Sequence, residues 1–148
     1  MIRVVVQAAP IDLAAEFAAA EGADAGAVAT FTGLVRGDDG VTELALEHYP
    51  GATERALEAL CEQAVARWSL VKATVVHRVG PMVPGDRVVF VATTARHRGA
   101  ALEACAFLID RLKTGAPFWK RERRGAETRW VETRESDDAA AARWGDLG

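Results

Sequence analysis

The stretch TERALEALCEQAVARW, residues 53–68, is followed by two β-branched runs, VKATVVHRV at residues 71–79 and RVVFVATT at residues 87–94. In the first stretch, apolar residues recur at the i, i+3, i+4, i+7, i+8 and i+11 spacing of one helix face. Both later runs are rich in valine and threonine, which favour strands. The pattern predicts a helix followed by two strands, and therefore a fold that mixes the two.

The chain after this helix continues to alternate between strand and helix. Residues 88–92 are apolar without alternation, which predicts a strand covered on both faces. Residues 80–86 carry enough proline and glycine to predict a tight, rigid loop. Short strands are expected at Phe118–Arg121 and Thr128–Glu132 around a glycine turn. Residues 99–112 predict a second long helix, with these residues buried: Leu102, Cys105, Leu108, Ile109 and Leu112.

The N-terminal part adds three strands and one helix. Ile2 to Gln7 predicts a strand, and Pro10 to Ala20 predicts a helix that ends before Gly22. Residues 27–35 and 41–49 predict two further strands, joined by a Gly-Asp-Asp-Gly turn as a hairpin. With no internal repeat and no linker, the expected organisation is one α+β domain over residues 1–148.

Composition places the chain among ordinary globular proteins. Of its 148 residues, 50% are hydrophobic and 26% are charged, with a formal net charge of -3, so neither disorder nor a coiled coil is favoured. The sequence shows neither a secretory signal nor an apolar run long enough to cross a membrane. Cys61 and Cys105 fall at apolar helix positions, which favours buried thiols over a disulfide. We expect a cytoplasmic protein that does not bind membranes.

Positive charge is concentrated in one part of the chain. Residues 96–134 hold ten arginines or lysines against five acidic residues, whereas the remainder holds eight basic and sixteen acidic residues. Such a segment indicates either an anion site or a solvated basic face. Nucleic acid is not favoured as a partner, because the sequence pI of about 5.6 is far below that of typical nucleic-acid-binding domains.

The candidate site residues are cationic, and no metal or nucleotide motif accompanies them. The three histidines are scattered, and the sequence has no cysteine pair at metal spacing and no glycine-rich phosphate loop, so we expect no metal and no cofactor. His97 and Arg98 stand where a buried strand leads into a long helix, whose N-terminus attracts anions. Arg36, at the end of another strand, could add a phosphate contact. Each of these residues alone is more often a surface residue.

Lysine is rare in this chain, and its placement is informative. Only three of the 18 basic residues are lysines. Lys72 is expected to be a solvated residue at a strand edge, whereas Lys113 and Lys120 lie seven residues apart within the basic segment. A lysine can lose its proton and act as acid, base or nucleophile, which a guanidinium cannot do. The residues therefore suggest a phosphate-bearing small molecule that arginines hold and a lysine acts on.

Several segments, in order along most of the chain, resemble one known family, the large (catalytic) subunit of molybdopterin synthase. The most specific is Leu112–Glu122, which reads LKTGAPFWKRE. The supporting segments are FTGLVR at 31–36, LEHYPG at 46–51, HRVG at 77–80, PGD at 84–86, HR at 97–98 and WVE at 130–132.

The resemblance implies an enzyme with an α/β hammerhead fold and an additional antiparallel β subdomain. Family members form a central homodimer, and each copy binds a small ubiquitin-like sulfur carrier to make a heterotetramer. The thiocarboxylate at the carrier's C-terminal Gly-Gly supplies sulfur to cyclic pyranopterin monophosphate. Two such transfers, with opening of the cyclic phosphate, form the dithiolene of molybdopterin. The implied function is therefore that of a sulfurtransferase in molybdenum cofactor biosynthesis.

The resemblance also assigns roles to residues of this chain. The essential lysine falls on Lys113 and a second active-site lysine on Lys120. Whether Lys113 acts as an acid or base or forms a covalent intermediate stays open. The positions that bind substrate are Leu34, Val35, Arg36, His97, Arg98, Lys113, Lys120, Arg121, Glu122 and, from across the dimer, Arg134.

Three features depart from the family pattern. Arg96 replaces a small residue, Leu34 stands where lysine is common, and the turn after Arg36 is short.

Two functions of other classes stay open. A non-catalytic RNA- or anion-binding module that uses residues 96–134 would bind in a salt-dependent way and tolerate loss of Lys113. A pure assembly scaffold would bind the carrier without turnover.

Overall fold

The computed structural model describes residues 1–131, 142, 144 and 145. This part of the chain confirms the expected mixture of helices and strands. The elements, in chain order, are β1 (Ile2–Gln7), α1 (Leu13–Ala20), β2 (Ala27–Leu34), β3 (Glu43–His48), α2 (Ala52–Trp68), β4 (Lys72–Arg78), β5 (Gly80–Met82), β6 (Arg87–Ala95), α3 (Arg98–Gly115), β7 (Phe118–Arg124) and β8 (Glu127–Val131).

The strands form two four-stranded sheets. The first has the order β1-β4-β6-β2, in which β1 and β4 are parallel and the other neighbours are antiparallel. The second has the order β5-β3-β7-β8 and is antiparallel throughout. Because β7 directly follows α3, the second sheet is joined to the helical layer of the first at that junction.

Helices cover both faces of the first sheet, which explains why β6 lacks alternation. Val89 and Val91 are buried in the main core, among residues of α2 and α3. Phe90 and Ala92 point to the opposite face and are buried with Ile11, beside α1. Successive strand residues point to opposite faces, so a strand buried on both sides needs apolar residues at every position. The prediction for β6 is confirmed.

Helix α3 buries Cys105, Leu108 and Leu112 as predicted, but not Leu102. Leu102, predicted to be buried, is 62% exposed, whereas Ala101 and Ala104 have almost no exposed surface. Short alanine side chains let a helix approach a sheet closely, and the 0% exposed Phe107 fills the space further along. Alanine is too weakly apolar for a sequence pattern to rank it above leucine, so the prediction for Leu102 was wrong.

The predicted hairpin of β2 and β3 is also wrong. Strand β2 pairs with β6 in the first sheet, whereas β3 pairs with β5 and β7 in the second. The apolar residues of the two strands belong to different clusters: Ala29 joins the main core, and Leu44 and Leu46 join a smaller one. The turn therefore carries the chain between sheets. The loop predicted at residues 80–86 likewise contains β5, which borders the second sheet.

Lys72 is not the solvated residue that we expected. Its ammonium donates to the carbonyls of Ala19 at 2.9 Å and Glu21 at 2.7 Å, and so caps the C-terminal end of α1. Cys61 and Cys105 are free and buried, as predicted. Among the helices that the structure describes, none has both the length and the apolarity needed to cross a membrane.

Candidate active site

Lys113 and Lys120 flank the junction between α3 and β7. Lys113 lies in the last turn of α3 and is exposed. The helix ends at Gly115, and Ala116 adopts an extended conformation with φ -102° and ψ 134°. Lys120 follows in β7, directly opposite Leu46 of β3. Both lysines thus belong to one short junction that connects the two sheets.

A buried histidine contacts the same junction. His77, near the end of β4, is 6% exposed and within electrostatic range of Lys113, Lys120 and His48. Burial is the main reason why its pKa falls to about 4, and these three neighbours lower it further. Its Nδ1 lies 2.9 Å from the Arg78 carbonyl oxygen, which can only accept, so Nδ1 carries the proton. At neutral pH the imidazole within electrostatic range of both lysines is therefore uncharged.

His77 also stacks on the first residue of β7. The rings of His77 and Phe118 have centroids 4.0 Å apart and planes inclined by 22°. Phe118 pairs in the sheet with His48, whose Nε2 lies 3.9 Å from a carboxylate oxygen of Glu54. The other Glu54 oxygen accepts the backbone N–H of Gly51 at 3.0 Å, at the start of α2. The His77–Phe118 stack and the hydrogen-bonded start of α2 thus both support the junction.

The segment Leu34–Arg36 adjoins the face that carries Lys120. Val35 is buried with Leu46, the residue opposite Lys120, and directly paired residues share a face of a sheet. The Val35 backbone N–H and carbonyl both bond within the 85–86 turn, at 2.9 Å each. Leu34 is 55% exposed, and the Arg36 guanidinium binds Asp38 at 3.0 and 3.2 Å. Of the three, Leu34 and Arg36 are accessible to a ligand.

Lys120, Arg121 and Glu122 do not all point the same way, because neighbouring residues of a strand face opposite sides. Lys120 and Glu122 share the face of Phe118, and Glu122 pairs with Arg124 at 3.2 Å. Arg121 lies on the other face, 3.3 Å from Glu47 and with its guanidinium carbon 5.5 Å from the Trp130 ring centroid. The structure thus brings Glu122, but not Arg121, to the side of Lys120.

His97 and Arg98 lie at the opposite end of α3 from Lys113. His97 is the N-cap of α3 and Arg98 its first residue, and both are exposed. Lys113 comes fifteen residues after Arg98 on the same helix. At roughly 1.5 Å per residue, that separation is about 22 Å along the axis. The two ends of α3 therefore cannot hold one small molecule together within a single chain.

The sequence predicted some of the site residues and missed others. Arg134 falls outside the described residues. His77 was quoted only as part of a motif, although a histidine in an apolar strand pattern is a signal of a buried polar group. Thr53 carried no signal beyond its place before a helix, and it is 0% exposed beneath the junction. Contacts between segments distant in sequence, which local patterns do not contain, bring both residues to the backbone between the lysines.

The arrangement suits an anionic substrate and proton transfer. Two lysine amines lie within electrostatic range of a neutral imidazole, and the exposed Arg36, paired with Asp38, lies on the adjoining segment. Within residues 1–131, 142, 144 and 145, no group of three or more histidine, cysteine, aspartate or glutamate side chains is placed to hold a metal ion. The side chains at the junction and on the adjoining segment carry amines and a guanidinium group.

The sequence is similar to a family model and to several named proteins. The family model described as MoaE protein matches residues 6–115. The molybdopterin synthase catalytic subunit of Escherichia coli K12 is 50% identical over 146 residues, covering 96% of this chain and 97% of the relative. That of Yersinia pestis is 55% identical over 122 residues, covering 80% and 81%.

A solved structure extends the similarity to three dimensions. The molybdopterin biosynthesis MoaE protein from Burkholderia ambifaria superposes on this chain with a TM-score of 0.85 at 49% sequence identity, and the match covers 99% of both chains. The matching sequences and folds span nearly the whole chain, and the family model covers most of it. This chain therefore belongs to the MoaE protein family.

Proposed function

We propose that this chain is the catalytic subunit of a molybdopterin synthase. It moves sulfur from the C-terminal thiocarboxylate of a small ubiquitin-like carrier to cyclic pyranopterin monophosphate, and two transfers complete the dithiolene. The observation that carries the proposal is the placement of Lys113 and Lys120, two of only three lysines, at one junction within electrostatic range of buried His77. The relatives named as catalytic subunits of molybdopterin synthase supply the reaction class.

The proposal includes the architecture and location expected for the family. Residues 1–148 form one cytoplasmic domain with the α/β hammerhead topology, and the β5-β3-β7-β8 sheet is its additional antiparallel subdomain. The relatives' designation as a subunit supports a second polypeptide in the working enzyme, and that polypeptide is the sulfur carrier.

Each side chain near the junction has a proposed task. Arg36 and Lys120 attract the phosphate of the substrate, because charge-assisted hydrogen bonds to phosphate are strong and directional. Lys113, on the last turn of α3, moves protons during attack by the thiocarboxylate or traps an intermediate through its amine. His77 stays uncharged, so it adds no positive charge that would compete with the lysines for the substrate.

Turnover by substituted lysines tests this proposal. The enzyme is reconstituted with thiocarboxylated carrier and pyranopterin substrate, and dithiolene formation is measured for Lys113→Ala and Lys113→Arg. We expect both variants to lose at least about 100-fold in kcat, because arginine keeps the charge but does not exchange protons at neutral pH. Full activity of Lys113→Arg would refute proton transfer by Lys113 and leave it a binding role only.

The third lysine provides the matched control. Lys72→Ala removes an ammonium that caps α1, on the other side of the first sheet from α2 and α3. The assay is run well below the unfolding temperature of each variant, because loss of this cap lowers stability. We expect Lys72→Ala to keep wild-type kcat. Undiminished dithiolene formation by Lys113→Ala would refute the proposed function of the junction.

The separation along α3 supports a site shared between two copies of the chain. Lys113 lies about 22 Å from Arg98 along the helix axis, at roughly 1.5 Å per residue. If His97 and Arg98 contact the same substrate as Lys113, they must come from the other protomer. We therefore propose a homodimer with two equivalent shared sites, each bound to one carrier in a heterotetramer.

Complementation between inactive variants tests the shared site. Lys113→Ala and Arg98→Ala are each purified, then unfolded together and refolded as an equal mixture. Half of the dimers are then mixed and carry one intact site of two, so we expect about a quarter of wild-type activity. No recovery from the mixture would refute a shared site. Full activity of Arg98→Ala alone would remove Arg98 from the site.

A further inference from the structure

The backbone between Lys113 and Lys120 is held at its centre, at Pro117 and Phe118. Helix α3 ends at Gly115 and β7 begins at Phe118, so this connection belongs fully to neither element. Both lysine side chains are exposed, and burial therefore restrains them little. Where their amines lie depends on the backbone that carries them. The contacts that fix this connection therefore bear directly on the site.

Thr53 holds the connection from the start of α2. Its side chain is 0% exposed, and its hydroxyl donates to the Pro117 carbonyl at 2.9 Å. The same hydroxyl accepts the backbone N–H of Tyr49 at 3.0 Å. One buried oxygen thus bridges two backbone groups that are 68 residues apart. Because a buried backbone group without a partner is costly, the side chain at position 53 must supply both a hydrogen-bond donor and an acceptor.

The aromatic ring of Tyr49 adds a second tie between the same two segments. It packs edge-to-face on Trp119, with ring centroids 4.2 Å apart and planes at 81°. The start of α2 therefore contacts the connection before Phe118 through a hydrogen bond and after it through a ring contact. This gives a role to the segment LEHYPG at residues 46–51, which the proposed reaction does not otherwise use.

His77 holds the connection from β4. Its imidazole stacks on Phe118 with centroids 4.0 Å apart, and its Nδ1 donates to the Arg78 carbonyl at 2.9 Å, which fixes the ring orientation. Strand β4 lies inside the first sheet, between β1 and β6, so the backbone that carries the ring is hydrogen-bonded on both sides. Phe118 thus cannot shift without losing this stack.

We propose that Thr53 and His77 are positioning residues that grip Pro117 and Phe118 from two sides and thereby set where Lys113 and Lys120 present their amines. This inference rests on the proposed function of the lysines. Neither residue touches substrate; each acts through the backbone that it holds. A displacement of about 1 Å at a catalytic group can cost a hundredfold in rate, so such residues control kcat.

Matched substitutions at Thr53 provide the first test. Thr53→Val keeps the shape and removes the hydroxyl, whereas Thr53→Ser keeps the hydroxyl. In the reconstituted enzyme we expect Thr53→Val to lower kcat about tenfold or more with KM for carrier and pterin within about twofold, and Thr53→Ser to retain most activity. A Thr53→Val enzyme with wild-type kcat would overturn the inference.

Thr94→Val controls for loss of stability alone. Thr94 is also 0% exposed, and its hydroxyl donates to the Ala20 carbonyl at 2.7 Å, at the end of α1 rather than at the junction. We expect this variant to lose a comparable amount of thermal stability and to keep wild-type kcat. Equal losses of kcat in Thr94→Val and Thr53→Val would show a merely structural effect and overturn the inference.

Two substitutions at His77 distinguish the contribution of its aromatic ring from that of its nitrogens. We expect His77→Phe, which keeps an aromatic face against Phe118, to retain most of the kcat that His77→Ala loses. Equal losses in both variants would show that the nitrogens matter and would overturn the stacking role. Lys113→Ala is measured alongside. If Lys113→Ala stays active, the proposed function fails; if it is inactive while Thr53→Val and His77→Ala are normal, only the positioning inference fails.

Discussion

The buried imidazole of His77 should make the protein less stable as the pH falls from 6.5 towards 4. In the unfolded chain this histidine titrates near its ordinary pKa of 6.5, whereas burial and the neighbouring Lys113, Lys120 and His48 lower its pKa to about 4 in the folded protein. Between these values the unfolded chain binds a proton that the folded chain does not. Acid therefore favours unfolding, and the stabilising contribution is complete above pH 6.5.

The size of the effect follows from the two pKa values. Each pKa unit corresponds to about 1.4 kcal/mol, so the fall from 6.5 to about 4 is worth about 3 kcal/mol of unfolding free energy. The side chain is 6% exposed, so solvent screens little of this energy. Acidic residues also titrate near pH 4, and the histidine contribution must therefore be isolated by comparison with a variant.

His77→Phe supplies that comparison, since it keeps the ring stack and removes the titrating group. Urea unfolding of both proteins is measured at pH 7, 5.5 and 4, and the difference between their unfolding free energies is plotted against pH. Between pH 7 and pH 4, we expect the wild type to lose about 3 kcal/mol of unfolding free energy relative to His77→Phe. A shift below about 1 kcal/mol, or an imidazole pKa near 6.5 by NMR, would refute the argument.

Three further predictions concern residues away from the lysine pair. Lys72→Ala should lower the unfolding free energy by about 1 kcal/mol in urea titrations, because the ammonium caps α1. Gly26→Ala should cost about 2 kcal/mol or more in the same assay, because the new Cβ would overlap the Arg96 carbonyl oxygen. A thiol reagent at pH 8 should label Cys61 and Cys105 only after unfolding, because burial raises their pKa to about 12 and about 11.

Local patterns predicted the elements whose character is written in consecutive residues. The apolar face of α2 and the unbroken apolar run of β6 were both confirmed, because helix and strand periods depend only on covalent spacing. The pairing of β2 and β3 was wrong, because a turn signal specifies a bend and not a partner. Which strands pair depends on which apolar faces are buried together, and this is settled by contacts distant in sequence.

The candidate site divides in the same way. By itself the sequence determined that Lys113 and Lys120 are unusual among so many arginines and belong to a motif of one family. Only the tertiary structure decided that His77 and Thr53 meet the backbone between these lysines, and that Arg98 stands at the far end of α3. The physical reason is that residue chemistry is local, whereas burial, hydrogen-bond partners and distances arise when remote segments pack together.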